Sequence, residues 1–360
     1  MALPKARRVW LWLHRWTGLT LGLLLALAAL LGAALTVLRP LDQALHPELF
    51  RSAAQGDAGP AALELLRQRL VAEFGPKATM TLRPPRESGE SLRVLLKSPQ
   101  WEGTLYIDPS TGREQGRRGE HEGVANFIFE LHSALLLGDT GKAILASVSL
   151  AYLALLLTGL ILWWPMNAAQ WRHAFALKLG KGATRALFDL HRLGGVVLGL
   201  LIVVSVASGA WMAWRPLGVW VSSLAGEAPV KPPKVGRAEG PPLSLDEIVA
   251  AARARWPEGM VGYVQLGAAA DRPVRVRLKL PDDPHPNGLS SVWLHPVDGA
   301  LLAQQRWNSL DLGGRSTAWI YPLHTGTLGG PLHEAATGLI GLSLFGLGFS
   351  GAWLWWRRRR

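Results

Sequence analysis

Four stretches of the chain stay apolar long enough to cross a bilayer, and the segments between them alternate like short helices and strands. The apolar runs cover residues 10–38, 143–164, 187–214 and 333–356, against the roughly 20 residues that a hydrocarbon core requires. The first follows Lys5, Arg7 and Arg8, as a secretion signal would. It outruns the apolar region of such signals, about 7–15 residues, so an uncleaved span is expected. Between the first two runs, Leu63, Leu65, Leu66, Leu70, Val71 and Phe74 recur at helical spacing within 61–74. Residues 93–97 and 103–107 read as strands, and 108–112 as a turn. Between the third and fourth runs, Ser244 and Glu247 form a capping box for a helix over 245–255. Strands over 274–280 and 290–294 and a turn over 295–299 follow. Each long loop is expected to fold as a small α+β domain, and the Gly/Pro-rich stretch 225–242 reads as a linker.

The pattern is one unit used twice. The segment Leu13-His14-Arg15-Trp16-Thr17-Gly18-Leu19-Thr20-Leu21-Gly22 returns 177 positions later as Leu190-His191-Arg192-Leu193-Gly194-Gly195-Val196-Val197-Leu198-Gly199, identical at six of ten positions. At an offset of 192, Phe129-Glu130-Leu131-His132-Ser133 matches Tyr321-Pro322-Leu323-His324-Thr325. The same offset aligns Thr158-Gly159-Leu160-Ile161-Leu162-Trp163-Trp164 with Ser350-Gly351-Ala352-Trp353-Leu354-Trp355-Trp356. The expected fold class is therefore membrane α-helical, a four-span bundle built from a tandem two-span repeat with two small α+β outer domains. Its parts are a first span (10–38), a first outer domain (39–125), a histidine segment with a second span (126–164), an inner loop (165–186), a third span (187–214), a second outer domain (215–317), a histidine segment with a fourth span (318–356) and a basic tail (357–360).

Charge orients this arrangement. The net charge is +12. The N-terminus, inner loop and tail, with the adjoining span ends, hold 13 basic residues against one acid, Asp189, whereas 39–130 holds 12 basic and 13 acidic, and 215–322 holds 12 and 10. The positive-inside rule puts the basic side, with both termini, in the cytoplasm. The loops then face the periplasm of a bacterial inner membrane. Headgroup attraction accounts for the basic excess, and nucleic acid is not an expected partner. With no cysteine, disulfides, thiolate iron–sulfur clusters and haem attached through C-x-x-C-H are excluded.

The duplicated histidines carry the candidate chemistry. His14 is followed by Gly18 and Gly22 at i+4 and i+8, on one helix face. His191, Gly195 and Gly199 repeat the arrangement. Neutral imidazole is a standard haem ligand, and small residues let a flat macrocycle approach a helix. The competing reading is a helix-packing stripe of small residues. Arg15 and Arg192 suit haem propionates or lipid headgroups equally. Repeat symmetry pairs His132 with His324 as ligands of a second, outer haem, and His333 is a rival there. His46, His121, His173, His285 and His295 read as solvated loop residues. The paired tryptophans at 163–164 and 355–356 read as interfacial belts.

Two spans around a helix–strand domain ending in Tyr106-Ile107-Asp108-Pro109-Ser110-Thr111-Gly112, with the L-H-R and L-H-[ST] segments and Trp-Trp span ends, resemble the PepSY-associated transmembrane family. The resemblance covers essentially the whole chain. The second outer domain departs from it by placing His295 where the first has Asp108. That family includes inner-membrane reductases for siderophore-bound iron. The resemblance implies PepSY-like outer domains, two b-type haems, a ferric siderophore as partner and a separate electron donor, a quinol or a flavoprotein. The reaction it implies is reduction of Fe(III) to release Fe(II) at the periplasmic face. A haem reductase for another acceptor and a non-enzymatic membrane regulator or anchor are the alternatives. Trp101, Arg117, Arg118, Trp307 and Arg315 stand near the outer histidines in sequence as candidate substrate contacts.

Overall fold

The computed structural model describes residues 5–52, 62–238, 240–267 and 272–359. Ala61 at the expected helix start, Glu239 in the linker and Arg360 in the tail lie outside them. In chain order the helices are α1 (Lys5–Thr17), α2 (Leu23–Leu45), α3 (Pro47–Phe50), α4 (Leu63–Phe74), α5 (Val124–Ala134), α6 (Gly138–Trp163), α7 (Ala168–Ala174), α8 (Ala183–Val197), α9 (Gly199–Ala213), α10 (Pro216–Leu224), α11 (Leu245–Arg253), α12 (Leu312–Thr325) and α13 (Gly330–Arg357). The strands are β1 (Thr79–Arg83), β2 (Leu92–Lys97), β3 (Glu102–Ile107), β4 (Glu114–Gly119), β5 (Met260–Gly267), β6 (Val274–Lys279), β7 (Ser290–Leu294) and β8 (Leu301–Gln305). The chain divides into two compact units, residues 1–38, 128–215 and 323–360 in one and 39–127 and 216–322 in the other.

The first unit is helical. Among the described residues, three stretches are long and apolar enough to span a membrane: Lys5–Leu45, Gly138–Trp163 and Thr327–Arg357. A fourth exists if α8 and α9, bent by 66° at their junction, are one span. The third span expected over 187–214 thus carries a break at Leu198. The matching place in the first copy, Gly18–Gly22, is a π-helical turn joining α1 to α2. Leu25, Ala26, Val148, Tyr152, Leu155, Ile202, Val206 and Leu344 form the core of this unit. Leu27, Leu157, Leu200 and Leu339 stay exposed, as side chains that meet lipid rather than water can.

The second unit joins the two loops expected as small α+β domains. The two loops share one antiparallel sheet in the order β4-β3-β2-β1-β5-β6-β7-β8. The junction is the β1–β5 pairing, with Thr79 opposite Gly267 and Leu82 opposite Val264. Each loop alone would leave one of these strands with an open row of N–H and C=O groups, and pairing them removes both edges. β1, β4, β5 and β8 were not read from the pattern. β1 and β5 flank the seam, and β4 (Glu-Gln-Gly-Arg-Arg-Gly) is too polar to alternate.

One sheet face is apolar, with Met80, Leu82, Val94, Leu96, Val264, Val276 and Leu278 buried against α4 and α11. The two helices cap each other. Asp246 accepts from the backbone N–H of Leu63 and Glu64 at 2.8 and 3.0 Å, and Glu64 accepts from that of Leu245 at 3.0 Å. Carboxylates at helix N-termini satisfy free N–H groups and favour the helix dipole. The capping box at Ser244 and Glu247 is present. His285 and His295, expected to be solvated, are buried at 5% and 4% exposure. Each ring accepts from a backbone N–H two residues on, that of Asn287 and Val297 respectively, so the imidazole organises its own turn.

Candidate functional site

The helical unit brings the four repeat histidines into two pairs. The His14 and His191 rings lie 6.3 Å apart, nearly perpendicular at 83°. The His132 and His324 rings also lie 6.3 Å apart, nearly parallel at 22°. His14 sits on α1, His191 on α8, His132 in the last turn of α5 and His324 in the last turn of α12. The pairs occupy different levels of the bundle. His14 is on α1 itself, while His132 bonds to Ala28 on α2. At 1.5 Å rise per residue the two levels are roughly 20 Å apart along that helix.

Each ring is held through Nδ1. His14 Nδ1 is 2.8 Å from Thr158 Oγ1. His191 Nδ1 is 3.0 Å from Ser350 Oγ and 3.1 Å from the Leu347 carbonyl. His132 Nδ1 is 2.8 Å from the Ala28 carbonyl, and His324 Nδ1 is 2.9 Å from Ser208 Oγ. The three hydroxyls already donate to carbonyls one turn back: Thr158 to Leu155, Ser350 to Leu347 and Ser208 to Ser205. With its hydrogen on that carbonyl, each hydroxyl accepts from Nδ1, the arrangement that leaves Nε2 of His14, His191 and His324 as the nitrogen available to a metal.

Four glycines press on the same rings. A Cβ at Gly159 would meet His14 Cε1 at 3.2 Å, and one at Gly351 would meet His191 Cε1 at 3.2 Å. At Gly209 it would meet His324 Cε1 at 3.1 Å, and at Gly32, His132 Cε1 at 2.7 Å. Each histidine is thus clamped between a hydrogen-bond acceptor and a bare stretch of helix backbone. The pattern obeys the repeat: Gly32 and Gly209 are separated by 177, and Gly159 and Gly351 by 192.

A Cβ at the glycines expected to make room would not touch the histidine rings. Gly18 and Gly22 lie against Leu155, at 3.9 and 3.4 Å from where a Cβ would stand. Gly195 and Gly199 face open space. Arg15 is exposed. Arg192 binds the Ala176 carbonyl at 2.8 Å and lies 3.3 Å from the buried Asp189 carboxylate, so its charge is matched within the protein. His333 Nδ1 accepts from the Gly329 N–H at 3.2 Å, capping the start of α13, and His324 rather than His333 meets His132. Arg117 pairs with Glu73 and Glu114, Arg118 with Asp42, and Arg315 with Glu227. Those candidate substrate contacts are neutralised.

The donor set tests the cofactor. Among the described residues no cluster of three or more His, Asp or Glu side chains could hold a bare metal ion. Two imidazoles per level suit a metal whose remaining ligands come from a macrocycle. An atom about 2 Å from one nitrogen of each ring, the usual metal–imidazole distance, needs ring centres about 6 Å apart. Both pairs meet that spacing, so the residues fit haem.

A family model described as the PepSY-associated TM region matches residues 11–358. An uncharacterized protein of Pseudomonas aeruginosa is 25% identical over 264 residues, which cover 65% of this chain and 64% of that protein. The match therefore spans less than two thirds of the relative's length.

Proposed function

We propose, from the premise that the chain belongs to the PepSY-associated TM family, that it is a membrane oxidoreductase which holds two b-type haems and delivers electrons to a ferric siderophore. The bent pair α8–α9 is the fourth span of a bundle made by a two-span repeat. The basic excess around the N-terminus, inner loop and C-terminal tail sets that side in the cytoplasm and the sheet-bearing unit in the periplasm of a bacterial inner membrane. The observation that carries the reading is the pair of equal 6.3 Å histidine separations, with Nδ1 held in all four rings.

When bound, haem supplies one-electron transfer at each level. His14 and His191 would hold the inner iron, and His132 and His324 the outer one. Thr158, Ser350 and Ser208 keep three of the imidazoles in the ligating tautomer. Two levels roughly 20 Å apart would divide the crossing into shorter transfers. The acceptor's Fe(III) gains one electron and becomes Fe(II), which hard oxygen donors bind more weakly, so the metal leaves its carrier. The electron donor is a separate quinol or flavoprotein.

An absorption spectrum of detergent-purified protein tests this. Two haems per chain with bis-imidazole spectra are expected, and His14→Ala should lose one and keep the other. A protein that purifies folded without a Soret band is the membrane regulator or anchor instead. Retention of both haems by His14→Ala would overturn the inner site. Reoxidation of the reduced protein by a ferric siderophore tests the acceptor, and no reoxidation points to a different one.

A further inference from the structure

The polar face of the eight-stranded sheet carries cations that make no ion pair among the described residues. Strand alternation puts Arg83, Arg93, Arg275 and Arg277 opposite the buried Leu82, Val94, Val276 and Leu278. Arg83 is the direct cross-strand neighbour of Arg93. Arg93 faces Tyr106, and Arg277 lies between Tyr263 and Ser291. Arg86, after β1, and Lys279, closing β6, complete the set. Like charges directly opposite one another destabilise a sheet, so local stability does not explain this arrangement.

Their contacts are with neutral groups. Arg275 donates to Ser291 Oγ at 3.0 and 2.9 Å, Arg277 to the Gly288 carbonyl, Arg86 to Asn287 Oδ1 and Lys279 to the Asp283 carbonyl. Arg93 stacks on Phe50, Arg275 on Trp293 and Arg277 on Tyr263. None of the six makes an ion pair among the described residues. The carboxylates that act on them, Glu90 and Asp283, are committed to backbone N–H groups, of Arg86 and of His285 and Leu289. The field is felt nearby. Burial, then Arg277, Arg86 and Lys279, pushes the His285 ring down to about 3. Burial and Arg277 bring Arg275 down to about 10.

We propose that this arginine face is a binding site for a polyanionic ferric chelate, its carboxylate or phenolate oxygens taken by half-buried guanidinium groups between aromatic rings. Guanidinium matches paired oxygens bidentately. The inference deepens the reductase reading and rests on it for the iron. It narrows the acceptor to chelates of net negative charge, as against neutral or cationic ones.

The test uses the full chain in phosphatidylcholine nanodiscs and titration calorimetry at low salt. The probes are iron(III) dicitrate, which is anionic, and tris(acetohydroxamato)iron(III), which is neutral, with metal-free citrate as a third arm. The anionic complex should bind at least about tenfold more tightly than the neutral one, as one charge-assisted contact alone would give, and weaken as salt rises. Combined Arg93→Gln and Arg277→Gln should remove that preference and leave the neutral complex unaffected. Equal binding of the two complexes by wild-type protein, or undiminished dicitrate binding by a folded double variant, overturns the proposal. So does citrate binding as tightly without iron. If the variant fails to fold, the wild-type charge preference and its salt dependence decide. Reoxidation of dithionite-reduced protein separates the two ideas. Charge-selective binding without reoxidation sinks the reductase reading alone, and equal reoxidation without charge preference sinks this inference alone.

Discussion

Gly32→Ala is the sharpest test of the histidine clamp. The added methyl carbon would stand 2.7 Å from His132 Cε1, 3.1 Å from Nδ1 and 3.4 Å from Nε2. Carbon atoms in good contact are about 3.5–4.0 Å apart, so the ring must retreat by roughly 1 Å. Retreat stretches the 2.8 Å hydrogen bond to the Ala28 carbonyl, worth about 1 kcal/mol, and changes the spacing to His324. Overpacking of this kind costs about 1–3 kcal/mol, enough to weaken a ligand about 5- to 150-fold. Gly195→Ala is the control, since its Cβ would meet open space. It replaces a glycine inside a helix, which should be neutral or stabilising by up to about 1 kcal/mol. Haem per chain would be measured on both variants by the pyridine haemochrome method. Gly32→Ala should lose the outer haem and keep the inner one, and Gly195→Ala should keep both. Full haem content in Gly32→Ala, or loss in Gly195→Ala, would show that the glycines do not set the ring positions.

Thr158→Val keeps the shape but removes the acceptor of the His14 Nδ1 proton. Lost support of this kind weakens metal affinity about 10- to 100-fold, to be read as haem loss on dilution. Ser350→Ala should lose less, because the Leu347 carbonyl 3.1 Å away still accepts from His191. For His285 the folded ring is held far below its ordinary 6.5, at about 3. Its contribution to stability is therefore complete above about pH 6.5 and drains away as pH falls toward 3, because the unfolded chain takes up the proton first. Chemical denaturation at several pH values should show that slope, and His285→Asn should flatten it. Asp246→Ala uncaps α4 and should lower the stability of the sheet unit by about 1 kcal/mol, measurable as a shift in denaturation midpoint.

Much of the membrane architecture could be read from apolar run length and the two repeat offsets, because both are properties of the chain in one dimension. The histidine pairs were legible for the same reason: each histidine is doubled at a fixed spacing. The residues that hold them were printed in the same repeat, Thr158-Gly159 against Ser350-Gly351, but nothing in one dimension says that α6 and α13 turn these residues toward histidines on α1 and α8. The fused sheet was hidden more deeply. Its seam joins strands from segments about 180 residues apart, and cross-strand pairing leaves no periodic trace. The arginine face needed that seam, since Arg83 and Arg93 come from one loop and Arg275 and Arg277 from the other.

The two copies also show why a shared sequence motif does not guarantee a shared backbone. Each helix carrying an inner histidine has glycine four and eight residues later, and each glycine weakens the helix by about 1 kcal/mol relative to alanine. In the first copy Gly18 and Gly22 lie against Leu155. Packing there holds the axis, and the chain absorbs the weakness as a π-helical turn. In the second copy Gly195 and Gly199 meet open space. There the helix breaks by 66° at Leu198. Irregular turns of this kind recur at functional sites. Here the π-helical turn starts about one turn after His14 and the break falls about two turns after His191, so the same glycine pair accompanies an irregular helix beyond each inner histidine.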